Sequence, residues 1–102
     1  MDVELRPEAI DDISSSAEFF NEKSEGWGDH FVRSIEVDLI VLEGEAGIHA
    51  VHFGLPCKFS KTFPFAIYYR IEDARAMVYA ILSCRLNPDL HRSILDDRRL
   101  DQ

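Results

Sequence analysis

At Gly44 the hydrophobic period of the chain changes from that of helices to that of strands, and that change restricts it to folds in which a pair of helices precedes most of a sheet. Before Gly44, apolar residues recur every three or four positions. Ile10, Ile13, Ala17 and Phe20 line one side of a segment opening on Pro7, while Asp11, Asp12, Ser14 and Glu18 occupy the other. After a break at Ser24-Glu25-Gly26, the residues Trp27, Phe31, Ile35, Leu39 and Leu42 repeat the pattern. Two amphipathic helices, over residues 7–22 and 27–44, are joined tightly enough to form a hairpin. Aromatic side chains at helical spacing belong in cores, so Trp27 and Phe31 are expected to pack inside.

Beyond Gly44 the segments 49–53, 57–63, 65–72 and 75–84 are short, rich in β-branched and aromatic residues, and separated by turn residues. They read as a four-stranded meander. Within the third, Phe65, Ile67, Tyr69 and Ile71 share the face toward the helices and Ala66, Tyr68, Arg70 and Glu72 the other. The fourth is apolar on both faces from Met77 to Leu82, which suits a central strand, and Asn87-Pro88 ends it. At the other end, Val3 and Leu5 alternate with Asp2 and Glu4 as a short strand before Pro7. After Pro88, Leu90, Ile94 and Leu95 are expected to dock as one helical turn, with Asp96-Asp97-Arg98-Arg99 and the residues after them fraying. The expected architecture is one α+β domain over residues 1–102, in the order β-α-α-β-β-β-β, with the hairpin covering one face of an antiparallel sheet.

A length of 102 residues allows one core. The net charge of −8 argues against generic nucleic-acid binding, which needs clustered Lys and Arg to displace counterions from phosphates. That charge is uneven. Residues 1–45 carry 13 acids against 3 bases, net −10, and residues 46–102 carry 6 against 8, net +2. Met1 leads directly into acidic Asp2 and Glu4, and no apolar run is long enough to span a bilayer, so a cytoplasmic protein without membrane contact is expected.

Phosphate-loop, Cys-x-x-Cys, His-Glu-x-x-His and Gly-x-Ser-x-Gly motifs are absent. No cofactor is expected. Cys57 and Cys84 are too few for a disulfide framework and read as small buried hydrophobes. His49 and His52 have zinc-ligand chemistry, but an odd offset sends them to opposite faces of a strand, so no metal is expected. The remaining candidates are Lys58, Lys61, Arg70 and Arg85, with Tyr68, Tyr79 and Ser83 as neighbours. Such cations can grip phosphate or contact a protein target, or simply pair with the helical acids. The sequence displays no obvious general base beside them.

Three local signatures carry a family resemblance. Gly26-Trp27-Gly28-Asp29-His30-Phe31 resembles the start of the second helix in the RelE/ParE superfamily of bacterial toxins. Lys61-Thr62-Phe63-Pro64-Phe65-Ala66-Ile67-Tyr68-Tyr69-Arg70 is similar to its Phe-Pro hairpin and Tyr-rich strand. Ala80-Ile81-Leu82-Ser83-Cys84-Arg85-Leu86-Asn87-Pro88 resembles its apolar strand with following Arg and Pro. Ser83 stands where many members have His, and Leu86 where a second Arg is common. The resemblance therefore implies the ParE branch, toxins described as binding and poisoning DNA gyrase, neutralised by a cognate antitoxin. The alternatives it carries are a RelE-like ribosome-dependent mRNA endonuclease, with Arg70, Arg85, Lys58 and Lys61 on phosphate, and an inactive relative that keeps only antitoxin binding. It also implies an antitoxin segment docked as a helix in a groove or as a strand on a free sheet edge.

Overall fold

A computed structural model describes residues 1–100. Its elements are β1 (Asp2–Leu5), α1 (Pro7–Lys23), α2 (Trp27–Glu45), β2 (Val51–His52), β3 (Leu55–Phe59), β4 (Phe65–Glu72), β5 (Arg75–Ser83) and α3 (Pro88–Leu100). The α+β class and the element order through β5 are those read from the period change. The sheet runs β1-β5-β4-β3-β2, and its last four strands form the antiparallel meander. β1 lies parallel to β5, from Asp2 beside Arg75 to Leu5 beside Val78. The sheet is therefore mixed, which corrects the purely antiparallel expectation. Alternation reports a strand's faces; its direction depends on the two-helix connection, which alternation does not encode.

The hairpin closes because two glycines permit it. Gly26 takes φ 85°, a left-handed conformation costly for other residues, and turns the chain into α2. Gly28 lies against α1, where an added Cβ would meet the Ala17 carbonyl oxygen at 2.5 Å and the Asn21 amide. Its N–H donates to Asn21 Oδ1 at 2.8 Å. Between hairpin and sheet, Phe31, Ile35 and Leu42 pack on Phe65, Ile67, Tyr69 and Val78. Phe65, Ile67 and Tyr69 thus face the helices as their alternation implied, while Ile71 is 42% exposed near the strand's end.

The second face of the sheet is also covered. Leu55, Cys57, Ala66, Tyr68, Tyr79, Ala80 and Leu82 form a core beneath α3, whose Leu95 is fully buried. The expected single turn and frayed tail are instead a 13-residue helix; Asp101 and Gln102 lie outside the described residues. Its polar end is held by tertiary bonds. Arg98 pairs with Asp12 of α1, and Arg99 Nη2 donates to the Phe53 carbonyl at 2.9 Å across the β2–β3 turn. Within the described residues no helix is long and apolar enough to cross a membrane.

Candidate functional site: an aromatic groove

A groove of about 1010 Å³ is bounded by α1, the start of α2, the β3–β4 turn, the end of β5 and α3. Its floor is aromatic. Phe20 lies 4.8 Å from Phe63 and 6.1 Å from Phe65, centroid to centroid, within the range of favourable ring pairs. Phe19 and Trp27 stand on the walls, 52% and 50% exposed. Trp27 is thus a groove residue and not the core residue its spacing suggested, although Phe31 is fully buried as expected. The reason is local: the turn at Gly26 leaves the first residue of α2 at the tip of the hairpin, where its ring lies edge-on to Phe63 at 6.1 Å.

The rim is basic in an acidic chain. Lys23, His30, Arg85 and Arg98 line the groove, and its one acid, Asp12, is bound by Arg98 through bonds of 2.6 and 2.8 Å. The hydrogen bonds that the Asp12 carboxylate accepts hold the Arg98 guanidinium above its ordinary pKa. Lys23 lies 5.2 Å over the Phe19 ring. Exposed apolar area inside a polar rim is the anatomy of a protein-docking surface.

One side of the groove is the outer edge of β5, which has no strand beside it after Val78. Side chains close that edge. Arg98 donates to the Tyr79 carbonyl at 2.9 Å, Ile81 N–H donates to Asp12 at 2.9 Å, and His91 Nε2 donates to the Ser83 carbonyl at 2.8 Å. An edge saturated in this way resists strand addition, so a helix is the better occupant of the groove. Because Nε2 carries the donor proton, His91 Nδ1 accepts from the Tyr68 hydroxyl at 2.8 Å. Burial raises both the Tyr68 hydroxyl and the Cys57 thiol, the latter to about 12. Neither is a reactive group at neutral pH. Cys57 is buried as expected, but Cys84 is exposed, because β5 ends at Ser83 and the chain turns to the surface there.

The four cations singled out from the sequence do not gather at one point. Lys58 of β3 donates to Glu45 at 2.8 Å, at the end of α2. Arg70 lies on the opposite face, 5.3 Å over the Tyr79 ring and 3.8 Å from Glu72. Lys61 is exposed in the β3–β4 turn. Arg85 follows β5 and lines the groove, making no ion pair among the described residues. Sequence reasoning missed the partners of Lys58. Glu45 Oε1 also lies 3.5 Å from His49 Nε2, and His49 Nδ1 bonds the Tyr69 hydroxyl at 2.6 Å. A carboxylate and an imidazole therefore do flank one of the cations, and the Lys58 hydrogen bond lowers the Glu45 pKa. His49 precedes β2 in a turn, so the strand geometry used to separate it from His52 does not apply; His52 instead packs on Phe59 at 5.4 Å. Among the described residues, no three His, Cys, Asp or Glu side chains gather as metal ligands.

Fold and groove together define the class: a small mixed-sheet α+β protein with an aromatic groove lined also by Lys23, Arg85 and the Arg98–Asp12 pair. Comparison with protein-family models, curated proteins and solved structures gives no match.

Proposed function

We infer that the chain is a toxin of a type II toxin–antitoxin pair, ParE-like in acting through protein contact on DNA gyrase, and that a cognate antitoxin holds it inactive. The observation carrying this reading is the groove: an aromatic floor, half-exposed Phe19 and Trp27, and a basic rim suit capture of a partner helix better than catalysis. The signatures at residues 26–31, 61–70 and 80–88 supply the family.

A second reading, the RelE-like mRNA endonuclease, is favoured by one arrangement. Glu45 and His49 beside Lys58 bring a base next to a cation, the pairing that 2′-hydroxyl attack on phosphate requires. The two readings separate on inducing the chain alone in a bacterial host while following growth, DNA breaks and mRNA. Arrest with trapped gyrase–DNA breaks and intact mRNA is the expected result. Cleavage of translated mRNA that is lost in Glu45→Gln would install the nuclease instead, and unaffected growth would leave an inactive relative that keeps only antitoxin binding.

A further inference from the structure

Helix α2 is apolar on two opposite sides. Phe31, Ile35 and Leu42 face the core, while Val37, Ile40 and Val41 are 59%, 64% and 42% exposed. At about 100° per residue, Val37, Ile40, Val41 and Gly44 form one seam directly opposite the buried face. Nothing lies within 4 Å of where a Gly44 Cβ would stand, so the seam has a notch in which another helix can approach closely. A helix hydrophobic on all sides is ordinarily buried, yet no other element of the described chain covers this side.

Acids flank the seam on both sides. Asp29, Glu36 and Glu43 follow one flank; on the other, Asp38 has one carboxylate oxygen buried without a partner and Glu45 is paired with Lys58, while the exposed Arg33 lies in line with the seam one turn before Val37. We propose that this face of α2 is a second docking surface, distinct from the groove, and that its occupant is a basic amphipathic helix of a partner protein. The helix would set an aliphatic stripe into the seam from Val37 to Gly44, with its Lys or Arg chiefly on the side of Glu36 and Glu43. A second copy of this chain fits poorly. In a two-fold antiparallel pairing that puts Val37 opposite Gly44 and Ile40 opposite Val41, each flank meets its own counterpart, so Glu36 comes beside Glu43 of the second copy and Asp38 beside its Glu45, and like charges meet along both flanks. An anionic membrane surface is repelled for the same reason.

The probe is a synthetic 18-residue helical peptide with leucines three and four apart flanked by lysines, titrated into the full chain by fluorescence anisotropy. A scrambled peptide of identical composition controls for simple charge attraction. The patterned peptide should bind about tenfold or more tighter than the scrambled one, and more weakly as salt rises. Ile40→Lys should abolish that preference with an unchanged thermal melt, because the side chain is mostly solvated, whereas Trp27→Ala in the groove should retain it. Equal binding of the two peptides, or a preference surviving Ile40→Lys, overturns the proposal. So does a sedimentation dimer at tens of micromolar that Ile40→Lys dissolves, which would make the occupant a second copy.

Discussion

Replacing Asp12 by Ala should be among the most damaging single changes available on the surface of α1. One carboxylate joins three elements: it accepts both Arg98 guanidinium nitrogens from α3 and the Ile81 N–H from β5. The two side chains are 13% and 17% exposed, so the pair is nearly buried. Removing one member of a buried pair costs roughly 3–5 kcal/mol, because the other charge stays desolvated. Arg98 keeps the Tyr79 carbonyl, which places the loss near the lower end, about 3 kcal/mol. For a domain of this size that corresponds to a melting temperature lower by roughly 12–20 °C.

The reasoning predicts non-additivity as well as a magnitude. Arg98→Ala should cost less, about 2 kcal/mol, because Asp12 retains the Ile81 amide; the double variant should then cost scarcely more than Asp12→Ala alone. Urea denaturation of the four proteins, followed by circular dichroism, gives the coupling, expected at about 1.5–2 kcal/mol. The Ile81 amide should exchange with solvent faster in Asp12→Ala, and Asp12→Asn should restore much of its protection. A coupling below about 0.5 kcal/mol would show that the pair is effectively solvated and that α3 is held by Leu95 and its neighbours alone.

Gly28→Ala should destabilise by about 2–3 kcal/mol, since the new methyl meets the Ala17 carbonyl and only displacement of the hairpin relieves it; a loss under 0.5 kcal/mol in the same denaturation assay would refute that close approach. Cys57 stays protonated in the fold to about pH 12 but ionises near pH 9 when unfolded, so its contribution is complete below pH 9 and declines as pH rises toward 12. Stability of the parent should therefore fall faster than that of Cys57→Ala over this interval, by up to about 1.4 kcal/mol per pH unit; parallel curves would count against it. Lys58→Met should raise the Glu45 pKa toward its ordinary value, because the Lys58 hydrogen bond is the main cause of its depression, and an NMR titration that leaves Glu45 unmoved would disprove the pairing.

What the sequence could convey divides along physical lines. Segment 65–72 displayed its faces because one side rests on the hairpin, and Phe65, Ile67 and Tyr69 went where alternation placed them. The irregularity between Tyr68 and Tyr69 was invisible, since a bulge is a property of two paired strands and leaves no mark on one. Helix α3 was under-read because Asp96-Asp97-Arg98-Arg99 looks like a solvated tail. Two of those charges hold the helix down, and no local pattern says that Arg98 finds an acid 86 residues away. Trp27 was misplaced by the opposite error: helical spacing identifies a stripe but not whether the stripe runs past the element it packs on. The seam at Val37, Ile40 and Val41 went unread for a related reason, because the stronger stripe beneath it accounted for the helix.

The uneven charge takes on a different meaning once the fold is known. The net −10 of residues 1–45 suggested an acidic helical half beside a nearly neutral sheet half. In three dimensions, Lys23 and His30, from that acidic half, join Arg85 and Arg98 around the groove, while Glu36 and Glu43 gather on the far side of α2. Whole-chain charge of −8 would slow a polyanion at long range, but recognition at contact depends on the charges nearby, here Lys23 and Arg85 at the groove, where Arg98 is offset by Asp12, and Glu36 and Glu43 along α2. A partner with one acidic and one basic helix would engage both surfaces with a linker spanning the hairpin, and its affinity would exceed that of either helix alone through effective concentration. Such an arrangement makes the two surfaces separable by mutation: Trp27→Ala should weaken only the acidic helix and Ile40→Lys only the basic one, and a single change that removes both would mean that they form one continuous interface.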